Sequence, residues 1–178
     1  MTIELVEIPG GPSLEEYATS MLLTDAVEDL RATVGPLVPR LAGRTVWMVN
    51  STARGGGVAE MLPRVVGVLN EIGVATKWVV IGTKKVAFFD LTKRMHNLIH
   101  GSGEPALSPA DLALYDEVST DLAGEFQGWL GPRDVLFIHD PQPAGMGAKV
   151  KDALGLRGVW RCHIGLDRDL PQTRVAWG

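Results

Sequence analysis

A chain of 178 residues, 46% hydrophobic and 21% charged, has the size of one compact domain and enough apolar content to bury a core, which excludes a disordered polymer. A net charge of −4 and a pI near 5.5 exclude a nucleic-acid surface built on clustered Lys and Arg. The lone Cys162 excludes an internal disulfide and a cysteine-based zinc site, and no run approaches the roughly 20 apolar residues of a membrane helix.

The N-terminal stretch MTIELVEIPGG has no basic segment leading into a long apolar one, so no secretory leader is expected and a cytoplasmic location fits best. Within it, Ile3 to Ile8 alternates apolar and polar and predicts a short strand at a sheet edge. Ser13, with Glu16 three residues on, forms a capping-box signature and predicts one helix over residues 14–32, ended by Gly35, Pro36 and Pro39.

RTVWMVNST follows as a buried-type strand that runs into Gly55, Gly56 and Gly57. After the glycines, Val58, Met61, Leu62, Val65, Leu69 and Ile72 make a helical stripe, with Gly73 at the C-cap position. ATKWVVIG is the second core strand, and FFDLTKRMHNLIHGSGEP a helix ending near Gly101. Ser108 and Asp111 cap a second long helix whose stripe is Tyr115, Val118, Leu122, Phe126 and Trp129. DVLFIHDPQP is a strand leading into a proline-stiffened loop, GMGAKVKDALG a short helix and GVWRCHIGL a last strand.

Strand and helix in alternation predict an α/β fold with a parallel sheet and helices on both faces. In such sheets ligands sit beyond the carboxyl ends of the strands. NSTARGGG, HDPQP and RCHIG all leave a strand at that end with polar residues, so the three are expected to meet at one rim.

Three readings compete for the glycines. One is a tight strand-to-helix turn that needs positive φ or close packing. A dinucleotide fingerprint fails, because Glu60 stands where the third small residue belongs and VVIGT ends without a ribose-binding acid; a P-loop fails for want of Gly-Lys-Ser/Thr. The favoured reading is a backbone cradle, in which free N–H groups at a helix N-terminus face a phosphate or sugar that no Cβ keeps away.

Four blocks in order, VNSTARGGGVAEMLPRVV, DLTKRMHNLIHG, HDPQP and VWRCHI, resemble the signature segments of the trehalose synthase and trehalose phosphorylase branch of retaining GT-B glycosyltransferases (family 4). The resemblance spans residues 46–164. It implies a Rossmann-like three-layer domain, the N-terminal, acceptor-side half of a two-domain enzyme, occupying residues 1–178. It implies a glucose acceptor and a nucleotide-sugar or sugar-phosphate donor, with no cofactor and no metal.

By the same resemblance, Gly55, Gly56 and Gly57 lie near the donor phosphate. Asp140, Arg161 and His163 border the reaction centre, and His139, Gln142, Lys93, His96 and Asn97 face the substrate. On chemistry alone, Asp140 is a natural acceptor for sugar hydroxyls, or else an Asx turn before Pro141. His139 taken singly reads as an ordinary strand-end residue. Arg161 and His163, two apart, are expected on one face of the last strand as paired donors. Lys93, His96 and Asn97 share a helix face that is either cleft or solvent-exposed.

The family's favoured scheme has no covalent enzyme intermediate. The leaving phosphate takes the proton of the attacking hydroxyl, and the protein supplies orientation and electrostatics.

The chain departs from the family after WRCHI, with Gly165 where an acidic residue is usual, and residues 1–178 are expected to lack the donor-binding C-terminal domain. Little or no transferase activity is expected of the chain alone. A separate chain carrying that domain, or a homodimer, would be the partner. A trehalose phosphorylase half using glucose 1-phosphate, and a sugar-binding or interaction module without catalysis, stand as alternatives.

Overall fold

Strands β1 (Thr2–Leu5), β2 (Val46–Asn50), β3 (Thr76–Gly82), β4 (Val135–His139) and β5 (Arg157–Arg161) form one sheet in the order β1-β3-β2-β4-β5. This computed structural model describes residues 2–177, so the ends of the expected 1–178 unit, Met1 and Gly178, lie outside the described residues. The pairs β3–β2, β2–β4 and β4–β5 are parallel, and β1 is the antiparallel edge strand. The sheet is therefore the mostly parallel one of a Rossmann-like α/β fold. Helices are α1 (Leu14–Thr19), α2 (Thr24–Val34), α3 (Gly57–Glu71), α4 (Val86–Ile99), α5 (Pro109–Gln127), α6 (Ala144–Leu154) and α7 (Pro171–Trp177), with a 3-10 turn over Val38–Leu41.

Side-chain alternation along the central strands builds the two faces. Trp47 and Val49 of β2 join Val79, Ile81, Leu136 and Ile138 in a core closed by Phe88, Val118, Leu122, Phe126 and Met146 from α4, α5 and α6. Val46 and Met48 point the other way and pack with Trp78, Val80, Leu62 and Val66, the last two from α3. All five residues of β2 are buried. This near-continuous apolar run is what a strand covered on both faces requires. β5 differs, since all five of its residues are exposed.

The single helix expected over residues 14–32 is broken in two. The capping box of Ser13 and Glu16 forms, but α1 ends at Thr19 and Leu22 takes a positive φ of 57°. Leu23 N–H donates to Tyr17 O at 3.1 Å and Thr24 Oγ1 to Ala18 O at 3.0 Å, closing the turn without glycine or proline. The reason is packing. Leu14, Ala18 and Val27 share one small core cluster, whereas Ala18 and Val27 on a straight helix would stand roughly 13.5 Å apart along the axis.

Two further boundaries move. Gly128 ends α5, so Trp129 leaves the helical stripe, becomes 40% exposed and packs edge-on against Trp47. The last strand closes at Arg161, and Cys162 and His163 lie beyond it. No helix among the described residues is long and apolar enough to cross a membrane.

Candidate functional site at the carboxyl ends of the strands

β2, β4 and β5 are neighbours and parallel, so their carboxyl ends fall at one edge of the sheet. His139 pairs in register with Arg161. The chain leaving β4 turns sharply at Asp140, whose φ is 64°. This left-handed conformation is tolerated by Asp far better than by most residues. Its N–H donates to Arg161 O at 3.0 Å, and its Oδ1 accepts the N–H of His163 at 2.7 Å. Trp160 Nε1 donates to the Asp140 carbonyl at 2.9 Å. Asp140 thus ties the loop after β4 to the segment after β5.

The His139 and His163 rings stack with centroids 5.1 Å apart and meet at Nδ1 and Nε2, 2.8 Å apart. His139 is only 2% exposed. Its Nε2 lies 3.5 Å from Met48 Sδ, and its ring stacks on Phe137. Burial, followed by the nearby His163 and Arg161 charges, pushes its pKa down to about 4. The ring therefore sits behind His163, held by side chains of the protein itself. The Arg161 side chain is exposed; its charge reaches His139, and its carbonyl serves Asp140. The strand ends at Arg161, so His163 sits in the segment beyond it, and both act on His139, His163 through its ring and Arg161 through its charge.

Beside this cluster lies an open cleft of about 340 Å³ lined by Ser51, Phe89, Thr92, Lys93, His96, Asn97 and Gln142. Four expected residues from two distant segments, Lys93, His96 and Asn97 of α4 and Gln142 after β4, thus line one cleft. Gln142 Oε1 is shut off from solvent with no hydrogen-bond partner among the described residues. Partial burial lowers the His96 pKa, His100 adds to that, and the charge of Asp140 opposes it. The cleft and the Asp140 cluster therefore share one electrostatic environment.

Gly55 and Gly56 have φ of 73° and 92°, which favours glycine, and Gly56 is the N-cap of α3 with no side-chain cap bond. A Cβ built on Gly55, Gly56 or Gly57 would meet nothing within 4 Å, so the triplet is an open backbone surface, not a packing device. The loop reaches it from Ser51 of the cleft through Thr52, Ala53 and Arg54. Thr52 accepts the Arg54 N–H on its hydroxyl at 3.2 Å.

Sequence reasoning missed the residues that hold the loops. Asn50, 4% exposed, accepts Trp78 Nε1–H at 2.7 Å and donates to Thr52 O at 2.7 Å, fixing the start of the glycine loop. Tyr115, expected as plain core, donates its hydroxyl to Pro141 O at 2.6 Å and accepts Gly145 N–H at 2.9 Å. Burial raises its pKa. A buried Asn at a strand end, and a Tyr in place of Phe in an apolar stripe, were the available signals.

The chain matches the family described as "Trehalose synthase, N-terminal domain" over residues 48–177. It is 33% identical to the trehalose synthase of Rubrobacter xylanophilus over 178 residues, covering 94% of this chain and 38% of that protein. With the trehalose synthase of Thermococcus litoralis identity is 34% over 157 residues, 88% of this chain and 35% of the relative. A trehalose phosphorylase of Pleurotus sajor-caju is 30% identical over 182 residues, 87% of this chain and 23% of the relative. The chain thus spans well under half the length of these relatives. Together with the Rossmann-like sheet and the order of its rim segments, these matches show that the chain belongs to the trehalose synthase N-terminal domain family.

Proposed function

We propose that this chain is the acceptor-side domain of a retaining glucosyltransferase that forms trehalose from a nucleotide-activated glucose and glucose. The observation that supports it most is the convergence of Ser51, Lys93, His96, Asn97 and Gln142 on one cleft beside the Asp140–His163 clamp. Polar groups from three separate segments face one concave space, as a sugar with several hydroxyls requires.

In this reading Asp140 spends Oδ1 on the His163 N–H and keeps Oδ2 for a sugar hydroxyl. Gln142 Oε1 is an acceptor in need of a donor. The first-turn amides of α3, reached through bare glycines, take the donor phosphate. His163 and Arg161 border the transferred sugar, and Lys93 adds positive charge at the cleft mouth. The protein contributes orientation and electrostatic stabilisation, and the donor phosphate takes the proton of the attacking hydroxyl.

The unit is a single domain, and its partner in the reaction is a donor-binding domain that closes the other side of the cleft. Alone, the chain has little or no transferase activity. A trehalose assay with nucleotide glucose and glucose tests both points. The expected result is no product from the chain alone and product once the remaining portion of a relative is added. Robust turnover by the chain alone would overturn the requirement for a partner, and no product in either case would remove the catalytic reading.

A phosphorylase half that uses glucose 1-phosphate is the second reading, favoured by the relatives named trehalose phosphorylase. Glucose 1-phosphate supplied in place of the nucleotide glucose separates the two, since only the phosphorylase reading then gives trehalose, with one phosphate released per trehalose formed.

A further inference from the structure

We infer that His139 is a positioning residue: anchored on Met48, its ring accepts a hydrogen bond from His163 and holds His163 in the tautomer that carries hydrogen on Nε2 and offers Nδ1 only as an acceptor.

A neutral imidazole has one N–H and one lone pair on nitrogen. His139 Nε2 stands 3.5 Å from Met48 Sδ, and a thioether has no hydrogen to give. The only favourable contact there is Nε2–H donating to sulfur, which leaves the His139 lone pair on Nδ1. The 2.8 Å separation from His139 Nδ1 to His163 Nε2 needs a hydrogen between the two nitrogens. With Nδ1 of His139 already an acceptor, that hydrogen belongs to His163 Nε2. The opposite arrangement aims a lone pair at the sulfur and leaves a buried acceptor unpaired, in a ring only 2% exposed.

Neutrality of His139 is secured by its surroundings. The groups that face it are Met48 from β2, Phe137 from its own strand, and His163 with the Arg161 charge from the β5 side. None of these is a carboxylate that would hold a second proton on the ring. His163 in turn is fixed through its backbone by Asp140, so ring and main chain are both constrained.

The consequence for recognition rests on the carbohydrate reading of the cleft. In this tautomer Nδ1 of His163 receives a hydrogen bond from a hydroxyl, and its one N–H, on Nε2, is taken by His139 and is not free for a phosphate oxygen. Its ligand is therefore a sugar hydroxyl. The oxyanion role expected of an Arg161–His163 pair falls to Arg161 and the glycine-loop amides.

The tautomer is measured without any ligand, so its failure is distinguishable from failure of the carbohydrate reading. Long-range proton–nitrogen NMR on the labelled chain at mildly alkaline pH reads it directly. Both His139 and His163 are expected to show a protonated Nε2 and an unprotonated Nδ1. Met48→Leu, close in volume, is expected to move His139 towards an averaged tautomer mixture. His139→Asn, which keeps an acceptor near Nδ1, should leave the His163 pattern in place, and His139→Leu should lose it. His96 and His100 signals report whether each variant remains folded. A wild-type His139 or His163 protonated on Nδ1 would overturn the inference. So would a His163 pattern unmoved in folded His139→Leu or a His139 pattern unmoved in Met48→Leu, and if His139→Leu does not fold, the wild-type and Met48→Leu spectra decide.

Discussion

His163 donates its backbone N–H to Asp140 Oδ1 at 2.7 Å, while Asp140 donates its own N–H to Arg161 O at 3.0 Å. These two bonds join the loop after β4 to the end of β5 and the segment beyond it, the first of them across 23 residues of chain. They do so through a residue at φ 64°, so one side chain serves at once as turn former, clamp and candidate ligand.

The three roles of Asp140 separate by substitution. Asp140→Ala loses the clamp, about 1 kcal/mol or more, and places a Cβ residue without a local hydrogen bond in the left-handed region, about 1–2 kcal/mol. Asp140→Gly relieves the backbone part only. Asp140→Asn keeps both conformation and acceptor and is expected within about 1 kcal/mol of wild type. The expected stability order in urea unfolding is therefore Asn, then Gly, then Ala. Glucose binding by calorimetry should nevertheless fall in the Asn variant, because the carboxylate is gone. Unchanged binding in Asp140→Asn would remove Asp140 from the sugar site.

His139 predicts how stability follows pH. In the unfolded chain it titrates near the ordinary histidine value of about 6.5, while in the fold burial and the His163 and Arg161 charges take it down to about 4. Between those values the unfolded state binds the extra proton, so its population grows as pH falls. Stability is full above about 6.5 and is lost progressively as pH drops towards about 4. Urea midpoints measured across that window should slope less in His139→Asn than in wild type; equal slopes would show that His139 is not the group responsible.

The parts of this fold that were legible in the sequence are those set by residues close in the chain. Ser13 with Glu16, and Ser108 with Asp111, form both capping boxes where expected. The β2 and β3 apolar runs become the buried centre of the sheet. The break at Leu22 escaped because it is dictated by the small core that α1 and α2 share with Val68 and Ile72 of the region around α3, and nothing local announces it. At the site, the rim segments were legible as strand ends. The His139–His163 contact was not, because it depends on the parallel register of β4 and β5 and on β5 stopping at Arg161. The loop-holding roles of Asn50 and Tyr115 are likewise set by partners far away in sequence.

The glycine loop yields a substitution that should be silent for the fold. Gly57 begins α3 and has no positive φ, and a Cβ on it would meet nothing within 4 Å. Gly57→Ala is expected to keep the fold and to raise stability by up to about 1 kcal/mol. Gly56→Ala, at φ 92°, should cost about 1–3 kcal/mol through backbone strain. If the amides cradle a phosphate, titrating glucose 1-phosphate should shift the Gly55, Gly56 and Gly57 amide resonances in wild type and move them less in Gly57→Ala. Identical shifts in the two proteins would show that close backbone approach is not used there.

Tyr115 holds the loop after β4 from beneath. Tyr115→Phe removes the hydroxyl between Pro141 O and Gly145 N–H and should cost about 1–3 kcal/mol, because the Pro141 carbonyl loses its donor. The aromatic stack on Phe88, 5.9 Å between centroids, is kept. Faster hydrogen exchange at Gly145 than in wild type is the local signature. An unchanged exchange rate would mean that the loop is held by its prolines alone.

Ser119 and Gly145 test how tightly α6 is seated on α5. A Cβ at Gly145 would stand 2.5 Å from Ser119 Oγ and 2.7 Å from Tyr115 Cε1, so Gly145→Ala should cost about 1–3 kcal/mol by overpacking. Ser119 is 1% exposed and its hydroxyl has no partner among the described residues. Ser119→Ala removes a buried polar group that gains nothing in the fold, so a stabilisation of up to about 1 kcal/mol is expected. It also clears the nearer of the two clashes, and the double variant should be more stable than the sum of the single changes predicts. Additive unfolding free energies in the four-protein cycle would show that Ser119 Oγ is not what the new methyl group strikes.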